Sequence, residues 1–437
     1  MDLSLLQPKI FKGEIKAPGD KSIAHRALLL NSLGSGKASI YNFPRSQDTI
    51  ATLKVMETLG MGIVKESVDS KGVSSNLVIE SKGIYSFIEP SSHLDAQNSG
   101  TLMRLLLGVL AGSSISAVVF GDSSLNKRPM GRVIKPLKLM GANIDGAEND
   151  EFPPISVKGG DLIGINYDMP VASAQLKSAL LIAGLFAEGN TQIIEPYASR
   201  DHTENMLMDM GINLDKDDAL NRVIISPGIP NMIDIEIPSD FSSAAPWIVG
   251  GLIHNDSELV IKDVGVNHTR TGLLDVLEEM GANISIERKM ASSTEPVADI
   301  KVGSSQLKGV EIHGSIIPRL IDEIPLIAVA ATQAEGKTII RDAAELRVKE
   351  SDRIKNTVIA LNTLGARVEE QDDGMVIYGK GKLKGGILRS HGDHRLAIAA
   401  AVASLVSDGE IVIQDSEVTD VSYPNFWSDF LGTISAN

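Results

Sequence analysis

The chain alternates two kinds of apolar stretch. One kind is apolar at almost every position, as in Leu102-Met103-Arg104-Leu105-Leu106-Leu107, Ala179-Leu180-Leu181-Ile182-Ala183-Gly184 and Ala397-Ile398-Ala399-Ala400-Ala401-Val402. A helix apolar on all sides is buried, and the Ala and Gly it carries suit close helix-to-helix approach. The other kind is apolar on one stripe: Leu273, Leu274, Leu277 and Met280 recur at helical spacing opposite Asp275, Glu278 and Glu279, which predicts an outer helix. The buried helices are expected to begin near Ser22, Gly100, Ser173, Phe241, Asp322 and His394, about every 70 residues.

The outer helices are expected to end at Leu59-Gly60, Met140-Gly141, Met210-Gly211, Met280-Gly281, Leu364-Gly365 and Leu431-Gly432. Four of them run on into a strand, as in Gly141-Ala142-Asn143-Ile144 and Gly281-Ala282-Asn283-Ile284. Glycine just past a helix takes the left-handed conformation that satisfies the last carbonyls before the chain turns. Six βαβαβ-type units follow, divided most simply into two lobes of three with a break at Ile237-Pro238-Ser239-Asp240. The segment from Ile10 to Lys16 is an extra strand that periodicity assigns to neither lobe.

Composition narrows the class. At 437 residues the chain is long enough for several domains or one repeated architecture. Only 4% of residues are aromatic, as small-residue helix packing predicts. With no Cys, disulfides, thiolate metal sites and a cysteine nucleophile are excluded, and a reducing compartment, the cytoplasm, is expected. The formal charge of −15 argues against nucleic-acid binding. The early Asp2 disfavours a secretory signal, and the longest apolar run, Ala397 to Val406, is well short of the roughly 20 residues that span a bilayer.

Buried helices set side by side expose N–H groups and positive dipole ends at their starts, so the functional chemistry should lie there and should take anions. Lys21, Ser22 and Arg26 open the first helix, with Ser22 and Arg26 one turn apart. Gly100 follows Asn98-Ser99 at the second, where it gives a ligand close access to backbone N–H groups. Arg128 precedes Pro129, which suits a first helical turn. Ser173, Ala174 and Gln175 open the third helix, and Ser199 and Arg200 follow the next strand; Asp201 and Thr203 there read as caps and turn polars. Asp322 precedes the fifth helix. Glu350 lies between Lys349 and Arg353, whose four-residue spacing would let both cations face one ligand, and Arg395 opens the sixth helix. Each segment alone is explained as well by a cap, a turn or a solvated face. Together, six cations at one type of position (Lys21, Arg26, Arg128, Lys349, Arg353 and Arg395) imply a multiply anionic ligand or two anionic ligands. There is no phosphate-binding P-loop or dinucleotide fingerprint, and no His pair with zinc spacing.

Read in order, Gly19-Asp20-Lys21-Ser22-Ile23-Ala24-His25-Arg26, Asn98-Ser99-Gly100-Thr101, Lys127-Arg128-Pro129-Met130-Gly131, Ser173-Ala174-Gln175, Arg347-Val348-Lys349-Glu350-Ser351-Asp352-Arg353 and Gly392-Asp393-His394-Arg395 resemble the EPSP synthases, the 3-phosphoshikimate 1-carboxyvinyltransferases. The resemblance implies a two-lobed inside-out α/β barrel of six βαβαββ-type repeats, three per lobe, with buried parallel helices. It implies residues 20–237 as one lobe, residues 1–19 plus 238–437 as the other, and an active site in the cleft between them. The activity implied is transfer of the enolpyruvyl group of phosphoenolpyruvate to the 5-hydroxyl of shikimate 3-phosphate, by addition and elimination, without metal or organic cofactor, in a monomer.

By the same resemblance Lys21, Ser22, Arg26, Ser173, Ala174, Gln175, Ser199, Arg200, Asp322 and Lys349 hold shikimate 3-phosphate, and Lys21, Gly100, Arg128, Gln175, Arg353 and Arg395 hold phosphoenolpyruvate. Asp322, Glu350 and Lys21 are the implied proton carriers. Asp420-Val421-Ser422-Tyr423-Pro424 lacks a Lys found in many members, and Glu345 stands where those have Asn, features that resemble a second, more divergent branch. The sister transferase acting on UDP-N-acetylglucosamine usually presents a Cys at the phosphoenolpyruvate site, and this chain has none. A catalytically silent anion-binding protein on the same scaffold is the remaining alternative.

Overall fold

The computed structural model describes residues 1–289 and 293–435. The chain forms two compact units: unit I is Gly19–Ile237 with residues 293–295, and unit II is Met1–Pro18 with the chain from Pro238 onward apart from those residues. Among the described residues, no helix is long and apolar enough to cross a membrane.

The continuously apolar stretches are the buried helices. Lys21–Leu33, Gly100–Ala111 and Ala174–Gly184 form the heart of unit I, and Phe241–Ile253, Ile324–Gln333 and His394–Ser404 that of unit II. Five are started by a side chain that accepts a backbone N–H of the first turn: Asp20, Ser99, Ser173, Asp240 and Asp393. The role of small residues is plain at Gly108, where an added Cβ would sit 2.3 Å from the Ala179 carbonyl oxygen, so the second and third inner helices meet backbone to backbone.

Outer helices and sheets wrap each set of three. The glycines after the outer helices, Gly60, Gly141, Gly211, Gly281 and Gly365, all have φ between +83° and +104°. Gly432 is the exception: Phe426–Ser435 is one helix that passes through it. That helix is fixed by aromatic packing instead, Phe426 and Phe430 lying against Trp247.

Five four-stranded sheets share one plan. A short edge strand lies parallel to a second strand, which pairs antiparallel with the fourth, and the third returns beside the fourth. Leu94–Asp95, Ser116–Phe120, Asn143–Gly146 and Phe152–Lys158 show it in chain order. Two of the sheets draw the parallel edge strand from a distance. In unit I, Ile235–Glu236 closes the sheet of Ser35–Pro44. In unit II, Phe11–Ile15 closes the sheet of Ser257–Gly265, which places the strand that periodicity left unassigned. The sixth copy is abbreviated: Gly386–Arg389 and Ile411–Gln414 are joined by Leu3–Leu5 in place of a hairpin.

Candidate active site

In unit I the starts of the three inner helices are tied together by polar side chains. Arg26 is 2% exposed. It donates through Nε to Thr203 Oγ1 at 2.7 Å, through Nη2 to Ser178 Oγ at 2.8 Å and through Nη1 to the Ser22 carbonyl at 2.9 Å. These partners are neutral oxygens. Burial pulls its pKa down to about 10 despite nearby carboxylates, and the Arg200 charge adds to that pull. Taking a guanidinium out of water against neutral acceptors is unfavourable, and an anionic ligand removes the penalty.

Lys21, the first residue of its helix, pairs with Asp48 at 2.9 Å. His25 bridges the same region, with Nδ1 2.6 Å from Thr52 Oγ1 and Nε2 3.5 Å from Ser99 Oγ. Burial, with Lys21 and Arg26 adding, holds its pKa well below the ordinary histidine value, so the ring is neutral at pH 7.

Gly100 is the first residue of the second inner helix, and a Cβ there would lie 3.1 Å from Arg104 Nη1 and 3.5 Å from Arg128 Nη1. Arg128 donates to Asn98 Oδ1 at 2.8 Å. It caps the short turn Leu125–Lys127, and the next helix starts only at Gly131, so Pro129 lies before that helix and outside its first turn. Ser173 caps the third helix, accepting from the Leu176 N–H at 3.4 Å, with Ala174 as the first helical residue. Gln175 accepts from Arg104 Nη1 at 2.5 Å and donates to Thr101 at 2.9 Å. Ser199 is buried against Glu195, and Arg200 beside it is half-buried.

In unit II one guanidinium gathers the acid side chains. Arg353, 1% exposed, donates through Nε to Asp393 at 2.8 Å, through Nη2 to Glu350 at 2.6 Å and through Nη1 to Asp322 at 3.3 Å. Burial opposes its charge, but Asp393, Glu350 and Asp322 outweigh burial and raise its pKa. Asp393 also caps the sixth helix, which fixes Arg395 as that helix's second residue. Arg395 Nη1 reaches the Ser242 carbonyl at 3.4 Å and lies 4.0 Å from Glu323, so it spans the starts of all three inner helices of the unit. Arg270 closes the group, donating to both oxygens of the fully buried Glu323 at 3.2 and 3.1 Å. Lys349 does not share a helical face with Arg353. It ends the turn Ala344–Val348, and the helix starts at Arg353 behind its cap Asp352, so four-residue spacing carries no helical meaning there.

Several functional contacts escaped sequence reasoning. Thr203 is an Arg26 partner rather than a turn polar, and Asp201 pairs with Lys216 at 3.0 Å instead of capping its helix. Arg104 lay hidden in a stretch read as apolar, and Lys177 went unremarked on a helix expected to be buried, although a charge inside an otherwise buried helix is itself a signal. Among the described residues, no group of three or more His, Asp or Glu could hold a metal ion.

Two units, each of three buried helices with cations and capping side chains at the helix starts, make a fold seen in a solved enolpyruvyl transferase. The solved enolpyruvyl transferase NikO from Streptomyces tendae has the same fold, with a TM-score of 0.77 over 98% of this chain and 96% of that one at 18% identity. The family model for EPSP synthase (3-phosphoshikimate 1-carboxyvinyltransferase) matches residues 6–430, and the chain belongs to that family. It is 51% identical to the 3-phosphoshikimate 1-carboxyvinyltransferase of Desulforudis audaxviator over 98% of both chains. It is 48% identical to that of Bacillus cereus over 95% of both. The EPSP synthase structure from Acinetobacter baumannii matches with a TM-score of 0.86 at 40% identity, over 99% of this chain and 97% of that chain.

Proposed function

We propose that this chain transfers the enolpyruvyl group of phosphoenolpyruvate to the 5-hydroxyl of shikimate 3-phosphate and releases phosphate, in the cytoplasm. The observation that carries the reading is Arg26, a buried cation with neutral partners at the mouth of three convergent helices. Such a group favours a strongly anionic ligand, and both substrates are anions. Shikimate 3-phosphate is assigned to Lys21, Ser22, Arg26, Ser173, Ala174, Gln175, Ser199, Arg200, Asp322 and Lys349. Phosphoenolpyruvate is assigned to Lys21, Gly100, Arg128, Gln175, Arg353 and Arg395, and the cations of both units are assigned to one reaction.

In the addition step the 5-hydroxyl oxygen bonds to C2 of phosphoenolpyruvate, its proton passes to Asp322, and the C3 methylene gains a proton from Glu350 or Lys21. Elimination returns a C3 proton to the group that supplied it and breaks the C2–O bond to phosphate, which leaves with the proton that Asp322 had taken. Arg353 touches both carboxylates, so the two proton carriers are set by one rigid fork. The surrounding cations stabilise the charge that develops in the tetrahedral intermediate.

Phosphate release tests the assignment directly. Release from phosphoenolpyruvate is expected with shikimate 3-phosphate as acceptor and not with UDP-N-acetylglucosamine; release only with the latter overturns it. Gly100 gives a second expectation. Because a methyl group there presses on the Arg104 guanidinium and fills the space up to Arg128, glyphosate should inhibit the native chain, and Gly100→Ala should raise the inhibition constant at least about tenfold. An unchanged constant removes Gly100 from the phosphoenolpyruvate site.

A further inference from the structure

Lys177 is out of place by composition. It lies on the third inner helix, 3% exposed, where every following residue to Gly184 is small or apolar. A buried ammonium survives only when paired. Its Nζ lies 2.6 Å from Glu195 Oε2 and 2.7 Å from Glu204 Oε1, and it also donates to the Ser199 carbonyl at 3.3 Å. Glu195 in turn accepts from the Ser199 hydroxyl, and from the Ser199 N–H at 3.4 Å. Residue 199 is thus gripped at its N–H, its C=O and its hydroxyl by two buried ions. Burial pushes the Glu204 carboxyl up, against the opposing pull of the Lys177 ammonium.

The chain neighbours of these ions do a parallel task. Ser178 and Thr203, adjacent to Lys177 and Glu204, lie 2.6 Å apart and together hold Arg26. Two neighbouring pairs therefore lock the helix Ala174–Gly184 to the helix His202–Asp209. One pair presents Arg26 and the other fixes the segment that carries Arg200, whose charge is felt at Arg26.

We propose that Lys177 and Glu195 are positioning residues for the phosphate end of shikimate 3-phosphate: they hold the backbone at residue 199 so that Ser199 and Arg200 meet the phosphate beside Arg26 already in place. The proposal rests on the function assigned above. The hydroxyl is the movable part. It donates to Glu195 in this structure, and rotation about its Cβ–Oγ bond turns the same proton to an arriving phosphate while the N–H and C=O stay held. A segment ordered in advance loses no freedom on binding, which is where the affinity comes from.

The test is the double replacement Lys177→Met with Glu195→Gln, which removes the ion pair that grips residue 199. The Michaelis constant for shikimate 3-phosphate should rise about tenfold, with kcat and the constant for phosphoenolpyruvate changing less than about twofold. In a chain already carrying Ser199→Ala and Arg200→Met, the same replacement should add less than about twofold, because its target is gone. Equal rises in both Michaelis constants, or a full additive effect in the second background, overturn the proposal in favour of a purely structural ion pair. If the double variant does not fold by circular dichroism, Glu195→Gln alone should show the same split at smaller amplitude, and an unchanged constant overturns the proposal. If Ser199→Ala with Arg200→Met leaves the constant unchanged in an active enzyme, the proposal falls and the function stands; if the native chain releases no phosphate, the function itself falls.

Discussion

Asp322→Ala is expected to lower turnover by about a thousandfold while shikimate 3-phosphate still binds. The residue sits in the turn between Leu320 and the helix that starts at Ile324, half-buried, with one oxygen on Arg353. That placement gives a carboxylate held by a rigid cation yet open to a ligand hydroxyl. The unit I groups proposed to hold the phosphate are untouched by the change, so titration calorimetry with shikimate 3-phosphate should give a dissociation constant within about threefold of the native one. Retained full turnover removes Asp322 from the mechanism, and loss of binding together with turnover makes it a binding group only.

The second large effect is on stability. Arg353→Met should destabilise unit II by about 3–5 kcal/mol, because it leaves Asp393 buried without its counter-charge. Arg353→Lys should recover little, since a single ammonium cannot span Asp393, Glu350 and Asp322 as the fork does. Urea unfolding of the full chain reads the loss. Pairing Arg353→Met with Asp393→Asn should restore most of the stability and none of the activity. An unchanged urea midpoint in Arg353→Met would show that the buried carboxylates are compensated elsewhere.

Much of the fold was legible because it rests on short-range rules. Continuous apolar helices, one-stripe helices and left-handed glycines each leave a local mark, and five of the six expected glycine stops have positive φ. Gly432 misled because tertiary aromatic packing, invisible to periodicity, sets its helix. The candidate site was legible at helix starts, where caps and cations cluster: Lys21, Gly100, Gln175 and Arg395 all lie in the first turn of an inner helix. Partnerships between distant segments were not. Nothing in the sequence near Arg26 names Ser178 or Thr203, and the break that keeps Lys349 off the helix starting at Arg353 leaves no mark in their four-residue spacing.

The edge strand Phe11–Ile15 has a consequence for how the molecule is made. It leaves the ribosome well before its sheet partner Ser257–Gly265, which is synthesised only after the whole of Gly19–Ile237. The sheets of unit I, by contrast, draw all their strands from that intervening stretch, including the closing strand Ile235–Glu236. Synthesis in the N-to-C direction therefore lets the sheets of unit I form while the strand Phe11–Ile15 waits unpaired, an exposed edge that the second half of the chain must reach and cover before unit II can close.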